Sequence, residues 1–593
     1  MNPENISSSP SRWSLDDLFS SADSPEMEKA FKQAEALVAD FEKKRSLLKE
    51  DISLQDFLSI IKDLETITRQ ITLVNDYAEL WFTEDTQNQQ AQSLAARAEQ
   101  FAAEQSNKIL FFNLWWKSIS DETAQRLMKD AGDYRYWLEE IRHFKDYTLS
   151  EPEEKVINIK DLTGFSAFIR LYDSITNRYT FKIKVGGDEK DMTRGELMSL
   201  VRQSDSDLRA AAYQKLYQVY GEQGSILGQI YQTIIRDWHN ENINLRGYKS
   251  PISARNLAND IPDEVVDTLL DVCKKNATIF QRFFRLKASW LGVDQIRRYD
   301  VYAPVAEASK SYSFGMATEM VLDSFQEFDP RFAQLAHKVF SAHHIDSEVR
   351  KGKRVGAFCA TVAPDITPWV LLNYQGKADD MATLAHELGH AIHSLLAADH
   401  SIFTQHACLP LAETASTFGE MMLIDRLLSE EKDEEVRRDL LFKQVDDAYA
   451  TIMRQSFFAM FEKTAHEMTN QGASVDDLSE AYMQNLQVQF GDSLKLSDEF
   501  RWEWVSIPHF YHTPFYVYAY AFGQLLVLSL YKQFKEEGDS FKPRYIHMLS
   551  TGGSKAPMQI LDEAGMNVRQ PQFWQGGFDL IENMVAQLEA LDK

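Results

Sequence analysis

Hydrophobic residues recur at helical spacing along most of this 593-residue chain. In "MEKAFKQAEALVADFEKK", for example, Phe31, Ala34 and Leu37 fall on one helical face and the charged residues fall opposite. Only 16 prolines and 25 glycines are present to interrupt such segments. The pattern therefore predicts a mainly helical fold of long helices rather than a barrel of short strands.

The pattern changes once in the first part of the chain. The segment "TNRYTFKIKVGGDEKD" alternates apolar and polar residues and then reaches Gly186 and Gly187, which predicts a short strand and a hairpin near 176–190. Helical patterns resume after it. We therefore predict an N-terminal helical region over 1–200 and a second region over 201–593.

Charge and cysteine content narrow the classes of protein. The formal net charge of −26 disfavours binding to nucleic acid or to anionic membranes. No apolar run approaches the ~18 residues that a membrane span needs. Three scattered cysteines encode no disulfide framework. Because the N-terminus also lacks a basic segment followed by an apolar one, we expect a cytoplasmic protein.

One short segment carries candidate metal chemistry. In "TLAHELGHAIH", His386 and His390 are four residues apart, so on a helix both imidazoles can bind one ion. Glu387 lies one step round the helix, where it can reach a water on that ion without binding the ion itself. The alternative is a helix that carries surface histidines.

A catalytic zinc ion needs a third protein ligand and an open position. His393 shares the face, but a metzincin would need glycine at 393 and histidine at 396, where Leu396 stands. Thermolysin-like spacing points to 409–411, which holds no carboxylate. Slightly later, "LPLAETASTFGEMM" places Glu413 and Glu420 on one stripe of a predicted apolar helix. Such carboxylates need a partner if they are buried, and zinc is one; otherwise they are solvated.

A short strand precedes the histidine helix. "WVLLNY" is apolar and aromatic, and a helical run starts near Asp379 after Gly376. A small sheet is therefore predicted next to the helix that carries His386, Glu387 and His390, the HExxH motif. This arrangement suits a peptidase, because a bound peptide commonly adds itself to a sheet edge through main-chain hydrogen bonds.

A third segment, "SIPHFYHTPFYVYAYAFGQ" at 506–524, is rich in tyrosine and histidine. Pro514 predicts the first turn of a helix, and Tyr511, Phe515 and Tyr518 would share a face if that helix reached back to Tyr511. Aromatic stripes are more often core than catalytic. Tyrosine and histidine are also the donors that stabilise an oxyanion beside zinc.

Together these motifs resemble a known family. "HELGHAIHS", "ETASTFGE", "PHFYHTPFYVYAYAFG" and "LSTGGSKAPMQILDEAGMNV" are similar to oligoendopeptidase F, in the zinc oligopeptidase family that includes thimet oligopeptidase and neurolysin. The likeness runs from about residue 200 to the end. It implies a mainly α fold with two helical halves around a deep substrate channel, a zincin-like active site, and one Zn²⁺ per chain.

The resemblance also implies roles for individual residues. By matching positions, His386, His390 and Glu413 would hold zinc, and Glu387 would be the general base. Glu420 matches a glutamate of the same helix motif. His393 is then interpreted as a neighbour of the site that touches the ligands rather than the ion.

Relatives in this family place a histidine and two or three tyrosines opposite the zinc. Tyr511 and Tyr518 fall at tyrosine positions, and Phe515 replaces a third tyrosine. His509 matches the histidine when a gap is introduced, and Tyr516 is a rival for the same role.

These observations predict a cytoplasmic zinc metalloendopeptidase that cleaves short unstructured peptides and needs neither nucleic acid nor membrane. Two alternatives stay open from the sequence. One is a carboxypeptidase or dipeptidyl carboxypeptidase on a similar fold. The other is an inactive, peptide-binding helical protein.

Overall fold

The structure of the protein, a computed structural model, describes residues 9–305 and 310–591. These residues are mainly helical with a few short strands, which confirms the predicted fold class. No helix in the described ranges is both long and apolar enough to cross a lipid bilayer.

The chain divides into two compact units, and each is assembled from three separate stretches. The first comprises Met1–Lys145, Lys310–Glu430 and Gln533–Met566, and the second comprises Asp146–Ser309, Glu431–Lys532 and Asn567–Lys593. The units are defined by packing and draw on both regions predicted from the sequence. The functional division of the chain at residue 200 stays a prediction.

Helices are numbered in chain order. Those of the first unit are α1 Pro25–Lys43, α2 Leu54–Glu84, α3 Gln89–Ile109, α4 Phe111–Ser118, α5 Asp121–Met128, α6 Arg135–Arg142, α15 Phe314–Phe328, α16 Pro330–Ser341, α17 Ala378–Leu396, α18 Leu409–Ala412, α19 Ser416–Glu430, α25 Lys542–Ser550 and α26 Pro557–Glu563. Polar side chains fix where several of them begin, because each accepts a hydrogen bond from an otherwise unpaired N–H of the first turn. These N-caps are Ser24, Ser53, Asn88 and Ser120.

The second unit is also largely helical. Its helices are α7 Glu151–Thr163, α8 Phe165–Thr176, α9 Arg194–Leu200, α10 Ser206–Glu222, α11 Gly224–Trp238, α12 Ser253–Ala258, α13 Asp263–Lys275, α14 Ala277–Trp290, α20 Glu434–Ala448, α21 Arg454–Asn470, α22 Val475–Phe490, α23 Pro508–His512 and α27 Pro571–Leu591. Helix α24, Tyr518–Glu537, has residues in both units.

The strands are short and form three small sheets in the described residues. In the second unit, β1 Phe181–Val185 and β2 Asp188–Met192 form an antiparallel hairpin, and β3 Ile296–Arg297 pairs in parallel with β7 Leu494–Lys495. The hairpin turns at Gly186 and Gly187, whose φ angles are +64° and +96°. Glycine adopts this left-handed region without a steric penalty, which explains the pair in the sequence.

The sheet of the first unit has the strand order β4-β6-β5, with β4 Ile345–Asp346, β5 Phe358–Ala360 and β6 Trp369–Leu371. Strand β6 pairs in parallel with β4 and antiparallel with β5. It lies within the predicted "WVLLNY" strand, and α17 begins one residue before Asp379. Both predictions are therefore confirmed, and the small sheet packs against α17.

The core of the first unit anchors this sheet. Phe57 of α2 stacks on Phe112 and Trp116 of α4, and all three rings are buried. Trp369 and Leu371 of β6 belong to the same core. The indole N–H of Trp369 donates to the Ser14 carbonyl at 2.8 Å. The central strand β6 is thus fixed in the core by its buried side chains. The edge strand β5 is held by its pairing with β6.

Candidate active site

Helix α17 carries the HExxH motif, and its start is fixed by Asp380. The Asp380 carboxylate accepts hydrogen bonds from the N–H groups of Gln375 and Lys377 at 2.8 and 2.9 Å. A carboxylate in the first turn also complements the positive end of the helix dipole. From this start the imidazoles of His386 and His390 lie on one face, with ring centroids 4.9 Å apart.

Glycine residues let α19 pack closely against α17. A Cβ atom on Gly389 would lie 2.5 Å from both the Ala415 carbonyl oxygen and the Ser416 Cα, well inside van der Waals contact. One turn away from this point, a Cβ on Gly419 would meet the Ala385 carbonyl oxygen at 3.1 Å. The backbones of α17 and α19 are therefore in close contact at Gly389 and Gly419.

Glu413 completes a set of three donor residues. Its Oε2 lies 3.4 Å from His386 Nε2 and 3.4 Å from His390 Nε2. The donor atoms of these three residues lie within 4.8 Å of one another, so they could hold one metal ion. Ser416 Oγ donates to the same Glu413 oxygen at 2.7 Å, which fixes the carboxylate.

Glu413 differs from its predicted position in one respect. The sequence placed it on the same helix as Glu420, but the chain forms α18 up to Ala412 and starts α19 only at Ser416. Glu413 therefore lies in the link between two helices. The Ser416 hydroxyl, which donates to both the carbonyl and the carboxylate of Glu413, stabilises this break.

Two further predicted residues surround the donor set. Glu420 of α19 places Oε2 at 3.6 Å from His386 Nδ1, the ring nitrogen turned away from Glu413. His393 is buried one turn beyond His390, and the backbone of Ala412 contacts both of these imidazoles. These contacts can fix the orientation of the ring that each one touches.

Burial and charge separate the protonation states of the two histidines. Burial opposes a charged His386, but the carboxylates of Glu413 and Glu420 outweigh it and raise its pKa to about 10. For His390 burial dominates and lowers the pKa to about 4. His390 is thus neutral at pH 7, the form that offers a lone pair to a metal, whereas His386 would release a proton when a metal binds.

The carboxyl groups of Glu413 and Glu387 also differ in pKa. Burial disfavours the charged form of Glu413, but hydrogen bonding and charge from the histidines lower its pKa to about 2. Burial raises the pKa of Glu387 to about 7, with His386 opposing this shift and Glu413 adding to it. One carboxylate is therefore a permanent anion, and the other can exchange a proton near neutral pH.

These side chains open into a cavity of about 410 Å³. Helix α17 forms one wall with His386, Glu387, His390, His393 and Ser394, and Phe358 and Cys359 of β5 form another. In the described part of the chain β5 is an edge strand, so one of its hydrogen-bonding edges is not used by its sheet. The cavity thus combines a metal-binding donor set with an edge to which an extended chain could pair.

The sequence did not identify His406 and Ala407, which also line this cavity. They are held by the glycine pair of "STGGS". A Cβ on Gly553 would lie 2.1 Å from the His406 carbonyl oxygen, and the Gly553 N–H donates to the Thr404 carbonyl at 2.7 Å. A glycine pair signals a close backbone approach, but the sequence does not show which distant segment is approached.

The predicted tyrosine and histidine donors belong to the second unit. Tyr511 on α23 is fully buried, stacks on Tyr172 with centroids 3.7 Å apart, and donates its hydroxyl to the Leu227 carbonyl at 3.3 Å. The Tyr518 hydroxyl accepts a hydrogen bond from the Asn259 amide at 2.8 Å. His509 is half-buried, with Nε2 3.4 Å from the Tyr520 hydroxyl.

The helix predicted to start near Pro514 starts later and does not reach back to Tyr511. Helix α23 ends at His512, and α24 starts only at Tyr518. Between them Phe515 has a φ angle of +58°, which helix cannot accommodate. Tyr511 and Tyr518 are consequently on different helices.

Comparisons with known proteins were made on sequence and on structure. Residues 199–580 match the family described as Peptidase family M3, and residues 115–181 match the one described as Oligopeptidase F. The group B oligopeptidase PepB of Streptococcus agalactiae is 28% identical over 557 residues, covering 91% of this chain and 90% of the relative. The chromosomal oligoendopeptidase F of Lactococcus lactis subsp. cremoris is 27% identical over 598 residues, covering 98% and 97%.

Solved structures agree over almost the whole chain. A candidate peptidase from Chlamydophila abortus superposes with a TM-score of 0.88 at 25% identity, covering 100% of this chain and 99% of that one. Oligoendopeptidase-F from Enterococcus faecium gives a TM-score of 0.71 at 25% identity, covering 95% and 99%.

The close contact at Gly389 generates a first prediction. We expect Gly389→Ala to separate α19 from α17, cost about 1–3 kcal/mol of stability, and lower the metal content because Glu413 moves away from the histidines. Metal analysis of the purified protein and a thermal unfolding midpoint measure both effects.

Gly195→Ala is a matched control, since a Cβ there meets no atom within 4 Å. Full metal occupancy and an unchanged midpoint in Gly389→Ala would show that this contact does not set the donor geometry.

Proposed function

Because the chain belongs to peptidase family M3, as its motifs predicted, we propose that it is a zinc-dependent endopeptidase with Glu387 as general base. The chain is a metalloendopeptidase of the oligoendopeptidase F type, and peptides are its substrates. Zinc as the metal, the role of Glu387 and the preference for internal bonds of short, unstructured peptides are the proposed parts. The observation that carries them is the convergence of two imidazole nitrogens on one carboxylate oxygen.

The donor set fits zinc in number, type and spacing. Catalytic zinc sites commonly use three protein ligands and leave one position open. Two histidines and one glutamate form one such set of ligands. Donor atoms at the corners of a tetrahedron with bonds of about 2.0–2.2 Å lie about 3.3–3.6 Å apart. The distances of 3.4 Å from Glu413 Oε2 to His386 Nε2 and to His390 Nε2 match this spacing. We therefore propose one zinc ion per chain, held by these residues.

Residues around the donors have supporting roles in this proposal. Zinc, when bound, polarises a peptide carbonyl and makes a bound water more acidic. Glu387 faces the same cavity and is proposed to take the proton of that water and pass it to the leaving amine. Glu420 orients His386 through its second ring nitrogen, and His393 packs beside His390.

Strand β5 is the proposed binding edge for the substrate. Its Phe358 and Cys359 line the cavity that holds Glu387. An extended peptide that pairs with β5 would be recognised through its main chain, so many sequences would be accepted. This supports a broad preference for short peptides without stable structure.

Tyr518, with Tyr511 or His509, is proposed to donate a hydrogen bond to the oxyanion that forms during the reaction. The Tyr518 hydroxyl oxygen accepts a hydrogen bond from Asn259, and the Tyr511 hydroxyl donates one to the Leu227 carbonyl. These contacts fix the orientation of both rings.

The proposal extends to the organisation of the chain and its location. All proposed zinc ligands, Glu387 and the tyrosine segment fall within 201–593, which supports this region as the catalytic one. A cytoplasmic location is supported by Cys273, Cys359 and Cys408, which are all thiols.

The direct test uses an internally quenched peptide that is blocked at both ends. We expect the zinc-loaded chain to cut it at an internal bond, a chelator to abolish this activity, and added Zn²⁺ to restore it. Mass spectrometry of the products identifies the bond. Cleavage only of peptides with a free C-terminus would contradict the proposal and identify a carboxypeptidase or dipeptidyl carboxypeptidase.

Glu387→Gln tests the general base. We expect zinc content to stay at the wild-type level while kcat falls about 10²–10⁴-fold, because the shape is kept and the proton acceptor is lost. Atomic absorption and turnover of the blocked peptide measure the two quantities. Asp379→Asn removes a charge from an exposed position of the same helix and is expected to leave kcat unchanged. Retained turnover in fully loaded Glu387→Gln would rule out this role.

Glu413→Ala tests the third ligand. We expect zinc content and peptide hydrolysis to fall together, since only two imidazoles would remain to hold the ion. Glu430→Ala, an exposed position at the end of α19, is the matched control and should keep its zinc. Unchanged metal stoichiometry in Glu413→Ala would exclude Glu413 as a ligand.

A further inference from the structure

Within the second unit, the peptide group between Pro514 and Phe515 is hydrogen-bonded at both of its ends, and these two hydrogen bonds are called the grip below. The Phe515 N–H donates to Glu462 Oε1 of α21 at 2.9 Å. The carbonyl of the same peptide group, that of Pro514, accepts from Arg255 Nε of α12 at 3.2 Å. A carboxyl group and a guanidinium therefore lie at opposite ends of one peptide group, the first accepting from its N–H and the second donating to its carbonyl.

This grip acts where the backbone is strained. A peptide group is planar, so its orientation sets the φ angle of the residue that follows it. Here that residue is Phe515, at a φ of +58°. Such a value is a genuine outlier for a bulky residue and persists only when surrounding contacts enforce it. Rotation of this one peptide group would relieve the strain and change the link between α23 and α24.

Burial of the Glu462 carboxyl group costs free energy that packing contacts alone do not offset. Its side chain is fully buried, and Oε2 has no hydrogen-bond partner among the described residues. Burial raises the pKa of Glu462 to about 8, while the Phe515 N–H and Arg255 favour the charged form. A carboxyl group that is so poorly solvated is typical of a site where one specific contact is needed.

Helix α12 connects this grip to Tyr518. Arg255 lies within α12, and Asn259, the residue that ends it, donates to the Tyr518 hydroxyl at 2.8 Å. The side chain of Phe515 is fixed as well, since it is buried with its ring centroid 4.5 Å from that of His466, one turn after Glu462. Helix α12 thus contacts both the Pro514–Phe515 peptide and the Tyr518 hydroxyl, and α21 contacts the same peptide and the Phe515 ring.

We propose that Glu462 and Arg255 are positioning residues for the peptidase reaction, which hold the Pro514–Phe515 peptide in its strained orientation and thereby place the Tyr518 hydroxyl. The role rests on the proposed function of Tyr518 as a donor to the oxyanion.

The first test compares two substitutions of Glu462 in the full-length, zinc-loaded enzyme. Glu462→Gln keeps an acceptor for the Phe515 N–H, whereas Glu462→Leu removes it. We expect Glu462→Leu to lower kcat about 10–100-fold with little change in KM or zinc content, and Glu462→Gln to restore most of the loss. Glu467→Gln, an exposed position on the same helix, is the charge-matched control.

The second test asks whether the effect passes through Tyr518. In a Tyr518→Phe background the oxyanion donor is already absent, so we expect Glu462→Leu to lower kcat hardly any further. Arg255→Met, a change at a half-buried residue, should lower kcat in the same way from the other end of the peptide group. If Glu462→Leu does not fold, Arg255→Met and Glu462→Gln carry the same comparison.

A readout without catalysis separates this inference from the proposed function. We expect amide hydrogen exchange of a fragment covering 513–518 to increase in Glu462→Leu, and exchange in α17 to stay unchanged. Unchanged exchange and a wild-type kcat in Glu462→Leu would overturn the inference, as would equal losses in the presence and absence of Tyr518. Faster exchange in a chain whose wild type cuts no blocked peptide would instead overturn the proposed function and, with it, the catalytic role of the grip.

Discussion

The contact of α17 with α19 at Gly389 determines the geometry of the donor set. The two histidines share one helix, so their spacing follows from helical geometry alone. Glu413 has no such internal reference, because it lies in a link just before α19. Its distance from the histidines depends on how closely the two helix axes approach, and a single missing Cβ decides that distance. The small residue in the middle of the motif is thus as specific as the histidines beside it.

The environment of the donors is tuned by unequal burial and unequal charge. His386 lies between two carboxylates, whereas His390 and the buried His393 lie beside the Ala412 backbone. The paired charges of His386 and Glu413 keep the donor set assembled before any metal binds. A metal ion would replace the proton in this pair, so little of the surrounding structure needs to move.

The sequence predicted those parts of the site that depend on local geometry. The positions of His386, Glu387 and His390 follow from spacing on one helix, and the start of α17 follows from the end of the apolar strand at Gly376. Glu413 was predicted as a candidate by the need of a polar stripe for a partner, but its place outside a helix was not. Where a loop supplies the contact, as Gly553 does for His406, sequence gives the permissive residue without its partner.

The tyrosine segment shows a second limit of sequence-based prediction. Pro514 is typical of a first helical turn, and helical spacing would join Tyr511 to Tyr518 if that helix reached back to Tyr511. The positive φ of Phe515 breaks that helix, and only tertiary contacts make such an angle tolerable for phenylalanine. Local propensity was overruled here by a buried carboxylate from a helix about fifty residues away in sequence.

The edge of β5 that its sheet does not use has a consequence for which polypeptides can become substrates. A strand edge can pair only with a chain whose own backbone donors and acceptors are not yet occupied. In a folded protein most of these groups are already paired within helices and sheets. The state of folding of a polypeptide, rather than its order of side chains, would then decide whether it reaches Glu387. Intact proteins would then escape cleavage without any element that recognises them. The selection would depend only on whether the backbone donors and acceptors of the substrate are available.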